Sequence, residues 1–91
     1  MSQAVERPWR LPHPQETLAE YLRSARRERG TSLDSMVRAT GMSLSALRKI
    51  EDGRTLNPGL FTLHQIWLNL DLPWEALGLV APSVLHRKSV G

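Results

Sequence analysis

Cysteine is absent from this 91-residue sequence, which excludes disulfides and thiolate metal sites and gives no sign of an oxidising compartment. No apolar run approaches the ~20 residues that span a bilayer, and the N-terminus has prolines and a glutamate where a signal peptide has its apolar stretch. Histidine is scarce, and His13, His64 and His86 are too scattered to form a metal site or a catalytic cluster. These absences predict a cytoplasmic protein without membrane association, metal, cofactor or enzymatic activity.

The net charge of +3 is modest, but the charges are unevenly distributed along the chain. Between Arg23 and Arg54 there are eight basic residues against four acidic ones, a net of +4. Between Thr55 and His86 there are two acidic residues and no basic ones, a net of −2. A cationic segment of this kind is typical of a phosphate-binding face, but arginine-rich helices are often merely solvated, so both interpretations remain open.

Two short amphipathic segments meet at a glycine inside this cationic region, which reads SLDSMVRATGMSLSALRKIEDG. Gly41 suits the left-handed backbone that ends a helix, and Ser43 suits the cap of a second helix two residues later. Leu47 and Ile50 give that second helix a buried stripe. The pattern predicts a helix-turn-helix, whose second helix, over residues 43–52, has the form that enters the major groove of DNA.

Landmarks on both sides of this segment keep the register of a known family. These landmarks are Arg26-x-x-Arg29-Gly30, Gly41, Leu47, Ile50-Glu51-x-Gly53, Pro58, Thr62-Leu63, Ile66 and Leu70. In their spacing the chain resembles the XRE family, the small repressor domains typified by the lambdoid phage repressors, over about residues 18–78, with Val37 where the family usually has a small alanine. The resemblance implies an all-α fold, a compact five-helix lambda-repressor-like domain that contains the helix-turn-helix.

Proline content and hydrophobic periodicity divide the chain into three parts. Residues 1–14 are predicted to form an extended or disordered N-terminal arm, residues 15–80 the helix-turn-helix DNA-binding domain, and residues 81–91 a frayed C-terminal tail. Within the domain, the spacing of apolar residues predicts a first helix over residues 15–29.

Local start signals place three further helices. Thr31 and Asp34 form a capping pattern for the second helix, Asn57 and Pro58 form one for the fourth, and Pro73 opens a short fifth. The fourth helix is predicted to be the central element of the core because of its apolar residues Phe61, Leu63, Ile66, Trp67 and Leu70.

The family resemblance also implies which side chains read DNA bases. In relatives, the first two residues after the cap and the one five positions after the first reach base edges, which here are Leu44, Ser45 and Lys49, with Arg48 beside them. Lys49 favours guanine and Ser45 discriminates little, while Leu44 replaces a frequent glutamine and can touch only a thymine methyl. The outer face is therefore either a reader that uses Lys49, Arg48 and methyl contacts, or one that has lost part of its DNA function.

Contacts to the DNA backbone are expected from Ser32, Ser43, Arg54, Thr55 and Asn57. The amides near Ser32 can hold a phosphate at a helix N-terminus, although many relatives have a phosphate-binding glutamine at the next position. Such contacts set affinity and salt dependence without reading sequence. Ordinary loop and capping chemistry is the other interpretation of Arg54 and Asn57.

Two further expectations concern the arginines outside the helix-turn-helix. The resemblance implies a structural ion pair between Arg26 and Glu51, which joins the first helix to the end of the third. In the N-terminal arm, Arg7 and Arg10 either enter a minor groove, or the neighbouring apolar side chains anchor the segment on the domain or on a partner chain.

Two functions therefore remain open. The first is a sequence-specific DNA-binding transcriptional regulator, a homodimeric repressor of pseudo-palindromic double-stranded DNA, with an antitoxin-type autorepressor as one form. The second is a protein–protein interaction module on the same scaffold, with weak or lost base readout and a protein partner. Relatives often pair through their last helices, which implies a dimer interface of Trp74, Leu77, Leu79 and Val80, unless these residues only pack in the core.

Overall fold

The structure is a computed structural model that describes residues 9–55 and 58–80. Five helices account for most of these residues. They are α1 (Leu18–Glu28), α2 (Leu33–Thr40), α3 (Leu44–Glu51), α4 (Leu60–Leu70) and α5 (Trp74–Val80). These described residues contain no strand, so the predicted five-helix all-α fold is confirmed. Among them, no helix has both the length and the apolar character needed to cross a bilayer.

Side-chain caps determine where the first two helices begin. The Thr17 hydroxyl accepts the Glu20 amide at 3.2 Å while the Glu20 carboxylate accepts the Thr17 amide at 3.1 Å, a complete capping box. The predicted start at residue 15 was therefore early by three residues, because the cap that satisfies the first amides lies at Thr17. At α2, the cap is Ser32, which accepts the Ser35 amide at 3.0 Å, so the start signal assigned to Thr31 was one residue early.

The fourth helix begins later than its sequence signal indicated. Its N-cap is Gly59, which offers no side-chain hydrogen bond, and Pro58 precedes the helix instead of occupying its first turn. The prediction that Asn57 and Pro58 head this helix was wrong for Pro58, while Asn57 lies outside the described residues. Pro73 does stand directly before α5, as the sequence predicted.

The core is built from buried residues of all five helices, with α1 packed on α3 and α2 packed on both α3 and α4. Its largest fully buried side chains include Trp67, whose indole N–H donates to the Pro73 carbonyl at 2.9 Å. The other fully buried large side chains are Tyr21, Leu22, Met36, Leu47, Ile66, Leu70 and Val80.

Phe61 is an exception to the predicted core, because 75% of its surface is exposed. It lies nine residues before Leu70, and at ~100° per residue this separation places the two side chains on opposite sides of α4. The predicted core role was thus correct for Ile66, Trp67 and Leu70, correct in part for Leu63, which is partly buried against the core, and wrong for Phe61.

Residues 9–14 run without helical structure across the domain and are fixed to it by several contacts. The rings of Trp9 and Tyr21 lie 5.2 Å apart, and the Tyr21 hydroxyl donates to the Arg10 carbonyl at 2.6 Å. Arg10 in turn forms a bidentate ion pair with Glu16, at 2.8 and 2.9 Å. Burial raises the pKa of Tyr21 to about 12, so its phenol remains a donor at neutral pH.

The Arg10–Glu16 pair predicts a measurable acid sensitivity. The hydrogen bonds from Arg10 lower the pKa of Glu16 below its ordinary 4.5, so the pair stabilises the fold above that pH and is lost as the pH falls through the lowered value. We expect Glu16→Gln to cost about 1 kcal/mol of unfolding free energy at pH 7 and nothing well below the ordinary carboxyl range. Chemical denaturation across this pH range measures the difference.

The matched control for this experiment is Glu28→Gln, since Glu28 is an exposed carboxylate near the end of α1. We expect its stability to follow that of the wild type at every pH. If Glu16→Gln and the wild type differ equally at neutral and acid pH, the side-chain amide has changed packing and the ion pair is not the cause.

Candidate nucleic-acid interface

The α2 and α3 helices are joined by a turn of three residues, Gly41 to Ser43. Gly41 adopts φ 78° and ψ 4°, a left-handed conformation that ends α2, and its amide donates to the Val37 carbonyl. The Thr40 hydroxyl donates to Met36 at 2.7 Å and accepts the Met42 amide at 3.2 Å, which fixes the turn. Ser43 then caps α3 by accepting the Ala46 amide at 3.0 Å. The local chemistry therefore sets the angle between the two helices.

The outer face of α3 is open to solvent. Leu47, Ile50 and Glu51 are buried, and the side chains half a turn away from them are Ser45 and Lys49, both exposed. Of the other two positions assigned to base reading, Arg48 is exposed and Leu44 is half-buried at the edge of this face. The four residues Leu44, Ser45, Arg48 and Lys49 thus lie on one side of α3, with nothing from the described residues covering Ser45, Arg48 or Lys49.

A shallow groove runs beside this face, between α3 and the start of α4, with a volume of about 350 Å³. Ser43, Ser45, Lys49, Thr55 and Thr62 contribute hydroxyl or ammonium groups to its lining. The groove brings Thr55, one of the expected backbone-contacting residues, into the same surface as Lys49. A strand of nucleic acid lying along α3 would find hydrogen-bond donors and one positive charge here.

The structure divides the arginines of the cationic region into two groups. Arg23, Arg26 and Arg29 are bonded to other parts of the fold: the Arg23 side chain donates to the Glu51 carbonyl, and Arg29, although exposed, donates to the Leu70 and Asp71 carbonyls at 2.9 Å each. These bonds tie α1 to the ends of α3 and α4. The family resemblance implied a structural role only for Arg26, and nothing in the sequence distinguishes Arg23 and Arg29 from surface charges.

The remaining cations face solvent. Arg27, Arg38, Arg48 and Lys49 are exposed and make no ion pair among the described residues, while Arg54 makes only a loose, exposed one with Asp52 at 3.3 Å. Four of these five cations lie on the helix-turn-helix and the loop that follows it, and Arg27 lies on α1. Such exposed cations can contact the phosphates of a nucleic acid, and a solvated face exposes them equally.

Arg26 and Glu51 form a bidentate pair, with Nε–Oε2 at 2.7 Å and Nη2–Oε1 at 3.1 Å. Both side chains are largely shielded, with relative exposures of 15% and 8%. Arg26 also donates to the Thr31 carbonyl at 3.1 Å, so it links α1, the loop before α2 and the end of α3. This pair, together with Arg23, fixes the orientation of α3 on the domain.

The expected contacts to the DNA backbone have different structural settings. Ser32 and Ser43 both serve as N-caps, and both are exposed. Arg54 is exposed and Thr55 is half-buried, whereas Asn57 lies outside the described residues. Asp34 stands in the first turn of α2, where its carboxylate opposes a phosphate at that helix N-terminus.

Arg10, one of the two arginines considered for a minor-groove arm, is committed to Glu16 and lies 4.1 Å from the Trp9 ring centre. The segment is anchored on the domain through Trp9, which was the other interpretation of the sequence. Arg7 lies outside the described residues.

The four residues expected at a dimer interface do not share one environment. Val80 is 1% exposed and belongs to the core, and Leu77 packs partly against it. Trp74 and Leu79 are at least half exposed. Core packing therefore accounts for Val80, and a surface role is left to Trp74 and Leu79.

A family model described as a helix-turn-helix domain matches residues 17–65, more than half of the chain. The match begins at the N-cap of α1 and ends within α4, so it includes the Arg26–Glu51 pair, the turn at Gly41 and the whole of α3. No curated protein and no solved structure matches the chain.

Proposed function

The chain belongs to the family of helix-turn-helix domains, and from this premise we propose that it is a sequence-specific transcriptional regulator, a homodimeric repressor that inserts α3 into the major groove of DNA. Membership of this family indicates a DNA-binding regulator, and such domains are typically non-enzymatic. The proposal adds the mode of readout, the dimer and repression.

The observation that carries the proposal is the open outer face of α3. Ser45, Arg48 and Lys49 are exposed on this face, and their side chains make no hydrogen bond among the described residues. Arg23 and Arg26 of α1 and Arg29 at its C-cap, by contrast, are bonded to other parts of the fold. A cation without an internal partner can bind a DNA phosphate, and a helix face that is not packed against the protein can enter the major groove. Lys49 is the residue best placed for guanine, and Leu44 is limited to apolar contact.

A dimer follows from the small size of this reading surface. The α3 helix has only eight residues, so it presents three or four side chains to the bases. Each good base contact contributes about 1–3 kcal/mol of discrimination, and a single α3 therefore supplies too little to select one site in a genome. Two copies related by a two-fold axis double the contacts and read half-sites about one helical turn apart.

The second candidate function, a protein-interaction module, is favoured by one observation. Leu60, Phe61, Leu68 and Trp74 expose half or more of their apolar surface on α4 and at the start of α5. Such a surface fits a protein partner better than a nucleic acid. It is compatible with the first function, because it lies outside the outer face of α3.

Binding to duplex DNA of random sequence at two salt concentrations tests the proposal. We expect micromolar binding at about 50 mM salt and a loss of roughly 10²–10⁴-fold at about 200 mM, since each neutralised phosphate adds about −0.9 to the slope of log K against log salt. Selection from random duplexes is then expected to enrich paired half-sites about 10 base pairs apart. A folded protein that shows no binding at low salt contradicts the DNA-binding proposal and supports the interaction module.

A further inference from the structure

One side of α4 exposes apolar residues along most of its length. Leu60 and Phe61 are each 75% exposed and Leu68 is 57% exposed, with His64 exposed between them. At ~100° per residue, these four positions fall within an arc of about 100° around the helix axis. The exposure therefore forms a stripe and is not scattered over the helix.

Trp74 of α5 extends this stripe beyond α4. Its ring stacks on His64, with the ring centres 5.4 Å apart and an angle of 29° between the planes, and Trp74 is still 50% exposed. The α4 stripe is defined here as Leu60, Phe61, His64, Leu68 and Trp74. Leu79, which is 56% exposed on α5, is not linked to it by any ring contact or hydrogen bond among the described residues.

The exposed area of the stripe corresponds to what a stable homodimer needs. With roughly 150–250 Å² for each large side chain, the exposed fractions give roughly 500 Å² of apolar surface. A standard interface buries about 800 Å² on each partner, and about 65% of this area is apolar in homodimers, which is again about 500 Å². Exposed patches of this size on a small protein are often functional.

The charge distribution favours a second copy of the chain as the occupant. The stripe contains no Asp, Glu, Lys or Arg, and the segment from Thr55 to Val80 has no Lys or Arg. Two such faces meet without like-charge repulsion, while the cationic outer faces of α3 stay apart. A charged partner, by contrast, finds no complementary side chain on the stripe.

We propose that the α4 stripe is the self-association surface of this protein, used in a two-fold dimer in which the stripes of two copies pack on each other. The inference deepens the proposed function and rests on its homodimer, but of the predicted interface it keeps only Trp74 and replaces Leu77, Leu79 and Val80 with residues of α4. Gly59 and Thr62 of α4 line the groove beside Ser45 and Lys49. At ~100° per residue, Thr62 lies about 150° from the middle of the stripe around the α4 axis, so packing through the stripe leaves this groove and the outer faces of both α3 helices uncovered.

Two leucines of nearly equal exposure provide a matched test. Leu68 lies in the stripe at 57% exposure and Leu79 lies outside it at 56%. We expect sedimentation equilibrium to show a micromolar dimer for the wild type, at least a tenfold weaker dimer for Leu68→Glu, and a change of less than threefold for Leu79→Glu. A buried, unpaired carboxylate disfavours the dimer only at a site that the dimer buries.

Phe61→Glu is the second variant, and it is expected to weaken the dimer as Leu68→Glu does. Because both residues are exposed in the monomer, the variants should keep the helical circular dichroism and the melting behaviour of the wild-type monomer. A difference in dimer affinity between Leu68→Glu and Leu79→Glu therefore cannot be attributed to misfolding.

Three outcomes would overturn the proposal. The first is a wild-type protein that remains monomeric at several hundred micromolar, which would leave the stripe to a different protein partner. The second is disruption by Leu79→Glu and not by Leu68→Glu, which would return the interface to α5. The third is a monomer that dimerises only after residues 81–91 are removed, which would identify those residues as the occupant.

Measurements of DNA binding distinguish a failure of the α4 dimer from a failure of the proposed DNA-binding function. If the wild type dimerises through the stripe but binds no duplex at low salt, the surface stands and the DNA-binding function fails. If the monomeric variants keep their low-salt binding to random duplex and lose only the gain from paired half-sites, both proposals stand.

Discussion

Replacing Glu51 by alanine is expected to lower the free energy of unfolding by about 3 kcal/mol, because the largely shielded Arg26 guanidinium then loses its counter-charge. For a domain of this size, such a loss corresponds to a fall in Tm of roughly 10–20 °C. DNA affinity should fall with it, since the same residue holds the end of α3 against α1. Thermal denaturation and duplex binding of the same sample measure both effects.

The neighbouring Asp52 is the control for this substitution. It is also acidic and also paired with an arginine, but the pair is exposed, with relative exposures of 64% and 54%. Asp52→Ala is therefore expected to change stability by no more than about 0.5 kcal/mol. The double variant Arg26→Leu/Glu51→Leu should lose less than the sum of its single changes, because no unpaired charge is left behind. An unchanged Tm in Glu51→Ala would refute the structural role of the pair.

Replacing Lys49 by alanine is expected to weaken binding to a selected DNA site by about 1–3 kcal/mol, roughly 5- to 150-fold, without changing stability. Lys49 is exposed on the open face of α3 and lines the groove beside it, so its ammonium group is free for a base or a phosphate. Binding measured on the selected site and on random duplex separates these two roles. A base contact is lost mainly on the selected site, whereas a phosphate contact is lost equally on both and lowers the salt slope by about 1.

Arg27→Ala supplies the control for Lys49→Ala because it removes the same charge from a different face. Arg27 is exposed on α1, opposite the side of that helix which packs in the core, and its side chain makes no hydrogen bond within the described part of the chain. We expect its effect on DNA binding to be less than threefold. Equal losses in the two variants would mean that only net charge matters, and an unaffected Lys49→Ala would remove α3 as the reading helix.

Features that depend on neighbours in sequence were predictable from the sequence. The turn at Gly41 and the cap at Ser43 are examples, because one glycine without a Cβ and one hydroxyl two residues later satisfy the helix ends locally. The buried pair Leu47 and Ile50 follows from helical spacing. Cap positions were less certain where two capable residues are adjacent, as with Thr31 and Ser32, since either hydroxyl offers the same chemistry.

The functions of individual arginines and apolar residues were harder to predict. Arg23 and Arg29 look like surface charges in the sequence, yet their partners are carbonyls 28 and 41 residues away. Phe61 looks like a core residue by its chemistry, but the phase of α4 directs it to solvent. Val80 looks available for a dimer and is buried.

The helix-turn-helix, its family and the position of α3 could be predicted from the residues alone, because helix ends, turns and hydrophobic periods are set by interactions within a few residues. Which cations remain for DNA and which apolar side chains remain for a partner became clear only from the packing of the helices. Both choices depend on how α1, α3 and α4 are rotated against one another in the core. That rotation is fixed by packing and by long-range hydrogen bonds, which leave no local pattern in the chain.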